Sequence, residues 1–298
     1  MSTGTAATSL LDPAFLGRLE RIALLAKRVR PGVTKGERRS IRKGASNDFA
    51  DYRDYVQGDD LRHIDWNLYG RLDEHYLKLF EEREDLTLHL LIDASKSMGF
   101  GRPEKLQFAR QLAAALGYVA LSGQERVCAE AFSGGGFQRL KPCRGRGAMR
   151  RLFAFLESID ADGGTDLDHA GRGYLARNRA KGVAMIFSDF FDEDGFEEIL
   201  KRLNQSRSEV HAVHILAPEE MDPQLRGDLK LVDSETGAFA EISMSRGLMK
   251  RYFSNRDGFI DEVRQFCRRR GVGYYGVTTD TAIEDVVFHW MQRGGVVR

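Results

Sequence analysis

At 298 residues, with 42% apolar and 30% charged side chains, the chain has the length and composition to bury a sizeable core as one large or two small domains. A formal net charge of +1 gives no overall drive toward nucleic acid or an acidic membrane surface. The longest strictly apolar-or-glycine stretch, Leu112 to Leu121, is far short of the roughly 20 residues a spanning helix needs, so no integral membrane segment is expected.

The opening stretch, MSTGTAATSLLDP, has neither the basic start nor the apolar centre of a secretory signal. Three scattered cysteines, Cys128, Cys143 and Cys267, form no Cys-x-x-Cys pair. Both features lead to the expectation of a reducing, cytoplasmic location. Pro13 to Val29 carries Phe15, Leu16, Leu19, Ile22, Leu25 and Ala26 at helical spacing and is read as an amphipathic helix. Pro31 to Gly44 is basic and glycine-bearing and reads as a linker or arm; its basic run from Lys35 to Lys43, like Arg264 to Arg270, is taken as solvated surface. Ser46 to Asn67 gathers six aspartates with Phe49, Tyr52, Tyr55, Trp66, Arg53 and Arg62, fits neither strand nor helix period, and turns at Gly58-Asp59-Asp60. Its aspartates are expected to pair with Arg53 and Arg62 rather than to form a second cation site. The domain reading is therefore a helical and aromatic/acidic extension over 1–84 packing on a main domain over 85–298.

In the main domain, His75 to Glu82 and Asp85 to Asp93 read as neighbouring strands, and Leu86 to Ile92 is apolar enough for a strand buried on both faces. A helix follows over Lys105 to Leu121. Glu125 to Phe132 and Phe137 to Lys141 then flank a glycine turn too short for anything but antiparallel pairing, which makes the second a sheet edge. Helices over Ala148 to Ile159, Leu167 to Arg177, Phe196 to Leu203, Leu248 to Arg270 and Ile283 to Met291 alternate with strands over Val183 to Phe187, Val210 to Leu216 and Val272 to Val277. Leu229 to Val232 and Phe239 to Ile242 read as an inserted hairpin, near 228–243. The alternation predicts an α/β fold with a doubly wound, mostly parallel sheet flanked by helices, in which the strands ending at Asp93 and Asp189 lie side by side.

The organising stretch is LTLHLLIDASKSMGFG, where one carboxylate and two hydroxyls, Asp93, Ser95 and Ser97, follow a buried strand at alternate positions. Ligands of open α/β sheets bind beyond the carboxyl ends of strands. Oxygen-only donors suit Mg²⁺ or Mn²⁺ rather than zinc, and hydroxyls add no charge, so such an ion keeps its pull on an incoming carboxylate. Two more oxygen donors stand at the ends of later segments: Thr165 in Gly163-Gly164-Thr165-Asp166 and Asp189 after the Val183 strand. Thr165-x-x-Asp168 also has the form of a helix capping box. There is no G-x-x-x-x-G-K-[ST] loop and no G-x-S-x-G elbow. Ser95 stands where a haloacid-dehalogenase-type phosphatase needs its second aspartate.

Asp93, Ser95, Ser97, Thr165 and Asp189 together resemble the metal-ion-dependent adhesion site of the von Willebrand factor A family, Asp-x-Ser-x-Ser followed by a distant Thr and a distant Asp. The phrases DFADYRDYVQGDDLRHIDWN and KLFEERED narrow the resemblance, over almost the whole chain, to a bacterial branch known as the domain of unknown function fifty-eight family. The resemblance implies that Ser95, Ser97 and Thr165 touch a divalent cation through hydroxyls, that Asp93 and Asp189 hold it directly or through water, and that a sixth position takes a partner's acidic side chain. It also implies a MoxR-type AAA+ ATPase as partner, in assembly or maturation of another complex, and no catalysis by this chain. Two other expectations stay open: a metal-dependent phosphoester hydrolase with His169 or Asp166 as base, and a scaffold with a vestigial site.

Overall fold

The computed structural model describes residues 10, 13–29, 49–80 and 87–292, except 57–58, 60, 62–63, 135, 179–180, 193, 207, 226 and 234–236. In chain order the first elements are α1 (Pro13–Val29), β1 (Phe49–Asp54), α2 (Trp66–Leu72), β2 (Tyr76–Phe80), β3 (Thr87–Asp93), α3 (Lys105–Ser122), β4 (Arg126–Ser133) and β5 (Gly136–Arg144). They continue with α4 (Met149–Glu157), α5 (Leu167–Arg177), β6 (Gly182–Ser188), α6 (Glu197–Asn204), β7 (Ser208–Leu216) and a single turn, α7 (Pro218–Met221). The last are β8 (Asp228–Val232), β9 (Phe239–Ser243), α8 (Arg246–Arg270), β10 (Gly273–Thr278) and α9 (Ile283–Gln292).

Six strands form one sheet in the order β10-β7-β6-β3-β4-β5, with every pair parallel except β4 with β5. This is the doubly wound, mostly parallel sheet expected, and β5 is the antiparallel edge. Side chains of a strand alternate between faces, and β3 divides its apolar residues accordingly. Leu88, Leu90 and Ile92 join one core with α1, α3, α4 and α9, while Leu91 joins a second with α5, α6 and α8. β6 approaches β3 so closely that a Cβ on Gly182 would lie 1.8 Å from the Thr87 carbonyl oxygen, so that pairing requires a glycine there.

The chain divides into two compact units, residues 34–85 and the remainder. α1 belongs with the sheet: Phe15 and Leu19 are buried in the core it shares with α3 and α9. Leu19→Ala is accordingly expected to lower stability by about 2–5 kcal/mol, read as a lower urea midpoint at unchanged slope. A helix lying loosely on the surface would lose well under about 1 kcal/mol.

Within the smaller unit the structure corrects one reading. β2 is not a strand of the β3 sheet; it pairs antiparallel with β1, in a segment where no strand period was legible. Asp65 caps α2 through the Asn67 and Leu68 N–H groups and accepts the Tyr52 hydroxyl at 2.9 Å. The basic arm over 31–44 and the side chains of Arg53 and Arg62 lie outside the described residues. The β8–β9 hairpin pairs Asp228 with Ser243 and forms its own two-stranded sheet rather than an edge of the main one.

Candidate functional site

β3 lies where the strand order reverses, and the crevice beyond such a strand is where open sheets bind ligands. Asp93 ends β3 and Asp189 follows the last residue of β6; pairing of Ile92 with Phe187 brings these two strand ends side by side. Both carboxylates are fully buried.

The chain leaves β3 in a turn that Asp93 itself holds. Its Oδ1 accepts the Ser95 N–H at 3.0 Å and its Oδ2 accepts the Ser188 hydroxyl at 2.6 Å. A single 3-10 turn over Lys96–Gly99 folds Ser97 back, so that the Ser95 and Ser97 Oγ atoms stand 3.0 Å apart. In an octahedron with metal–oxygen distances of about 2.0–2.1 Å, neighbouring ligands are about 2.9–3.0 Å apart. A hydroxyl–hydroxyl hydrogen bond has nearly the same length, so the pair suits both roles without rearrangement.

The loop leading to Thr165 is fastened to this turn through its backbone. The Asp162 N–H donates to Ala94 O at 2.9 Å, the Lys96 N–H to Gly163 O at 3.0 Å, and the Gly134 N–H to Gly164 O at 2.6 Å. The N-cap of α5 is Asp166, whose Oδ1 accepts the His169 N–H at 2.8 Å. The loop after Asp189 reaches the same helix end, where Asp192 accepts the Leu167 N–H at 2.8 Å. The three segments that carry the five residues are thus tied to one another by hydrogen bonds.

Five participants, Ser188, Lys105, Glu220, Phe100 and Phe191, were not singled out in the sequence. Ser188 orients Asp93, as described. Lys105, the first residue of α3, is only 1% exposed and its ammonium lies 2.7 Å from Asp189 Oδ2 and 2.5 Å from Glu220 Oε1. Nothing in a lysine at a helix start signals this, because its partners are 84 and 115 positions away. The exposed rings of Phe100 and Phe191 flank that ammonium at 5.9 and 5.6 Å.

The electrostatics follow from burial. Burial first, and then the charge of Asp189, push the Asp93 carboxyl up to about 7, against the opposing hydrogen bonds from Ser188 and Ser95. Burial opposes the charge on Lys105, but Asp189 and Glu220 outweigh it, and its pKa lies above the usual lysine value. With every group ionised, Asp93, Asp189 and Glu220 oppose the single ammonium of Lys105, which leaves the cluster short of positive charge. Among the described residues no three His, Cys, Asp or Glu side chains gather as a metal-binding group. A cation at this site would rely on hydroxyls, and the all-oxygen donor set is of the kind that suits Mg²⁺ or Mn²⁺.

Two residues weighed for catalysis have other occupations. Asp166 caps α5, and the His169 ring is stacked on Phe137 at 5.0 Å between centroids. On β7, His211 lies against Tyr275, while His214 Nδ1 is 3.0 Å from the Tyr274 hydroxyl. No helix among the described residues is long and apolar enough to cross a membrane.

The chain is similar to several known proteins. The uncharacterized protein Rv1480 of Mycobacterium tuberculosis is 27% identical over 274 residues, covering 90% of this chain and 86% of its own length. The uncharacterized protein Mb1516 of Mycobacterium bovis matches to the same extent, 27% over 274 residues. Among solved structures, the conserved hypothetical protein BatB from Bacteroides thetaiotaomicron is similar over 70% of this chain and 99% of its own, with 15% identity and a TM-score of 0.41. The VWA domain of SpRpn10 is similar over 68% and 93%, with 11% identity and a TM-score of 0.39. The family model described as "Protein of unknown function DUF58" matches residues 51–258, a span that takes in Asp93, Ser95, Ser97, Thr165 and Asp189. By that match the chain belongs to the DUF58 family.

Proposed function

We propose that this chain is a non-enzymatic interaction module that binds a protein partner's carboxylate through a divalent cation. Asp93, Ser95, Ser97, Thr165 and Asp189 would hold Mg²⁺ or Mn²⁺, and the ion supplies the positive charge that attracts the acidic side chain. The observation that carries this reading is the serine pair, with Oγ atoms 3.0 Å apart beside two fully buried carboxylates at the switch point of the sheet. When Asp93 is ionised the buried cluster is short of positive charge, which a divalent cation would offset. Phe100 and Phe191 add apolar contact area beside the site, of the kind that partner surfaces cover.

Each protein group has a separate task. Asp93 fixes the turn that presents Ser95 and Ser97; Ser188 fixes Asp93; the backbone bonds of residues 162–164 hold the Thr165 segment in place. This pre-arrangement lowers the ordering cost of binding. A cytoplasmic location and a MoxR-type AAA+ ATPase as partner, in assembly or maturation of another complex, complete the proposal; both rest on the family resemblance and on the sequence features set out above.

The test is co-purification of the full chain from its native cell. A MoxR-type ATPase is expected to be retained with Mg²⁺ present and lost in chelator, and lost equally by Asp93→Asn with Mg²⁺ present. Retention in chelator, or undiminished retention by Asp93→Asn, would overturn the proposal.

A further inference from the structure

Lys105 is a buried cation that touches the same carboxylate a metal would use. Its Nζ donates to Asp189 Oδ2 at 2.7 Å and to Glu220 Oε1 at 2.5 Å, and its side chain is almost completely enclosed. Glu220 is itself anchored: its Oε2 accepts the Ala217 N–H at 2.7 Å, and its backbone carbonyl accepts the Tyr252 hydroxyl of α8 at 2.7 Å. The ammonium therefore stands between two carboxylates at fixed positions, one belonging to the candidate ligand set and one outside it.

We propose that Lys105 and Glu220 form an internal counter-charge pair that sets how strongly the site binds a divalent cation, with Lys105 competing for Asp189 and Glu220 restraining Lys105. The inference rests on the reading of the site as a metal site. Its physical content is the sign of two effects. Removing the ammonium takes away a positive charge bonded to a ligand carboxylate and frees Asp189 Oδ2, so metal affinity must rise. Neutralising Glu220 leaves the ammonium less compensated and more firmly on Asp189, so metal affinity must fall. In a buried, weakly screened cluster a unit charge at hydrogen-bond distance is expected to change affinity by about tenfold or more.

Lys105 is thus a positioning and charge-setting residue, not a ligand. The same pair would tune the captured carboxylate in the opposite sense, because an ion left with more net positive charge attracts an anion more strongly.

The experiment is a Mn²⁺ titration of the full chain, followed by calorimetry or by the paramagnetic resonance of free Mn²⁺, for the unaltered protein, Lys105→Met and Glu220→Gln. Lys105→Met is expected to bind Mn²⁺ about tenfold more tightly and Glu220→Gln about tenfold more weakly. A merely structural role would weaken binding in both variants, and that result, or unchanged affinity in both, overturns the proposal while leaving the metal site intact. Loss of Lys105 exposes two buried carboxylates to each other. If Lys105→Met does not fold, Glu220→Gln decides: weaker binding upholds the proposal and unchanged or tighter binding overturns it. If the unaltered chain binds no Mn²⁺, the underlying site reading fails and this inference fails with it.

Discussion

In chelator, the stability of Asp93→Asn relative to the unaltered chain is expected to rise with pH, by about 4 kcal/mol between about pH 4 and about pH 8. The Asp93 carboxyl is raised from 3.8 to about 7 on folding, by burial first and by Asp189 second. The folded state thus holds a proton that the unfolded chain has already released, and stability falls as pH climbs between those two values. Below the lower value both states are protonated and the group contributes nothing. Above the upper one the folded state carries the full cost of a buried charge beside a like charge. Asparagine keeps an acceptor for the Ser95 N–H and has no charge to bury; its amide cannot also accept the Ser188 hydroxyl, a cost that does not change with pH.

The comparison must be a difference between proteins, because buried histidines act in the opposite sense. His89 and His214 are each lowered by burial to about 4, so they make stability rise with pH between that value and 6.5. They are common to both proteins and cancel. In a chain of this size the full margin corresponds to roughly 10 °C in melting temperature. Addition of Mg²⁺ is expected to close the gap in the unaltered chain and to do little to Asp93→Asn, since only the former has the negative charge that the ion would offset. A margin independent of pH would show that Asp93 is not held as a strained anion.

How much of this was legible before folding differs from element to element, for physical reasons. β3 and β6 are short apolar runs ending in polar loops, and burial on both faces leaves that mark in any sequence. Their adjacency follows from the handedness of crossovers, so the meeting of Asp93 with Asp189 was within reach. β1 was not: FADYRD alternates no apolar face, and its pairing with β2 is set by partners some 25 positions on, Tyr52 opposite Lys78. The sequence alone could not place the cap of α5 at Asp166, because Thr and Asp are both good N-caps and stand next to each other. Lys105 and Glu220 left no trace at all. Each looks like ordinary surface charge on a helix, and only the assembled fold encloses them.

The second large effect concerns the serines. Ser95 and Ser97 contribute no charge, so their loss should leave the fold nearly as stable, yet it removes two of the five oxygen donors. Ser97 is partly exposed and its hydroxyl meets Ser95, so replacement by alanine leaves no unpaired carboxylate behind. A variant that folds normally and fails to bind an ion is more informative than one that fails at both. Loss of a directly bound ligand is expected to cost at least as much as loss of the groups that orient ligands, roughly 10–100-fold in affinity.

The most direct measurement is therefore Mn²⁺ binding to the full chain against Ser97→Ala, read by paramagnetic resonance. One ion per unaltered chain is expected, with affinity about tenfold or more weaker in Ser97→Ala at an unchanged melting temperature in chelator. Absence of a bound ion in the unaltered chain, or equal affinity in the variant, would contradict the assignment of these side chains to a divalent cation.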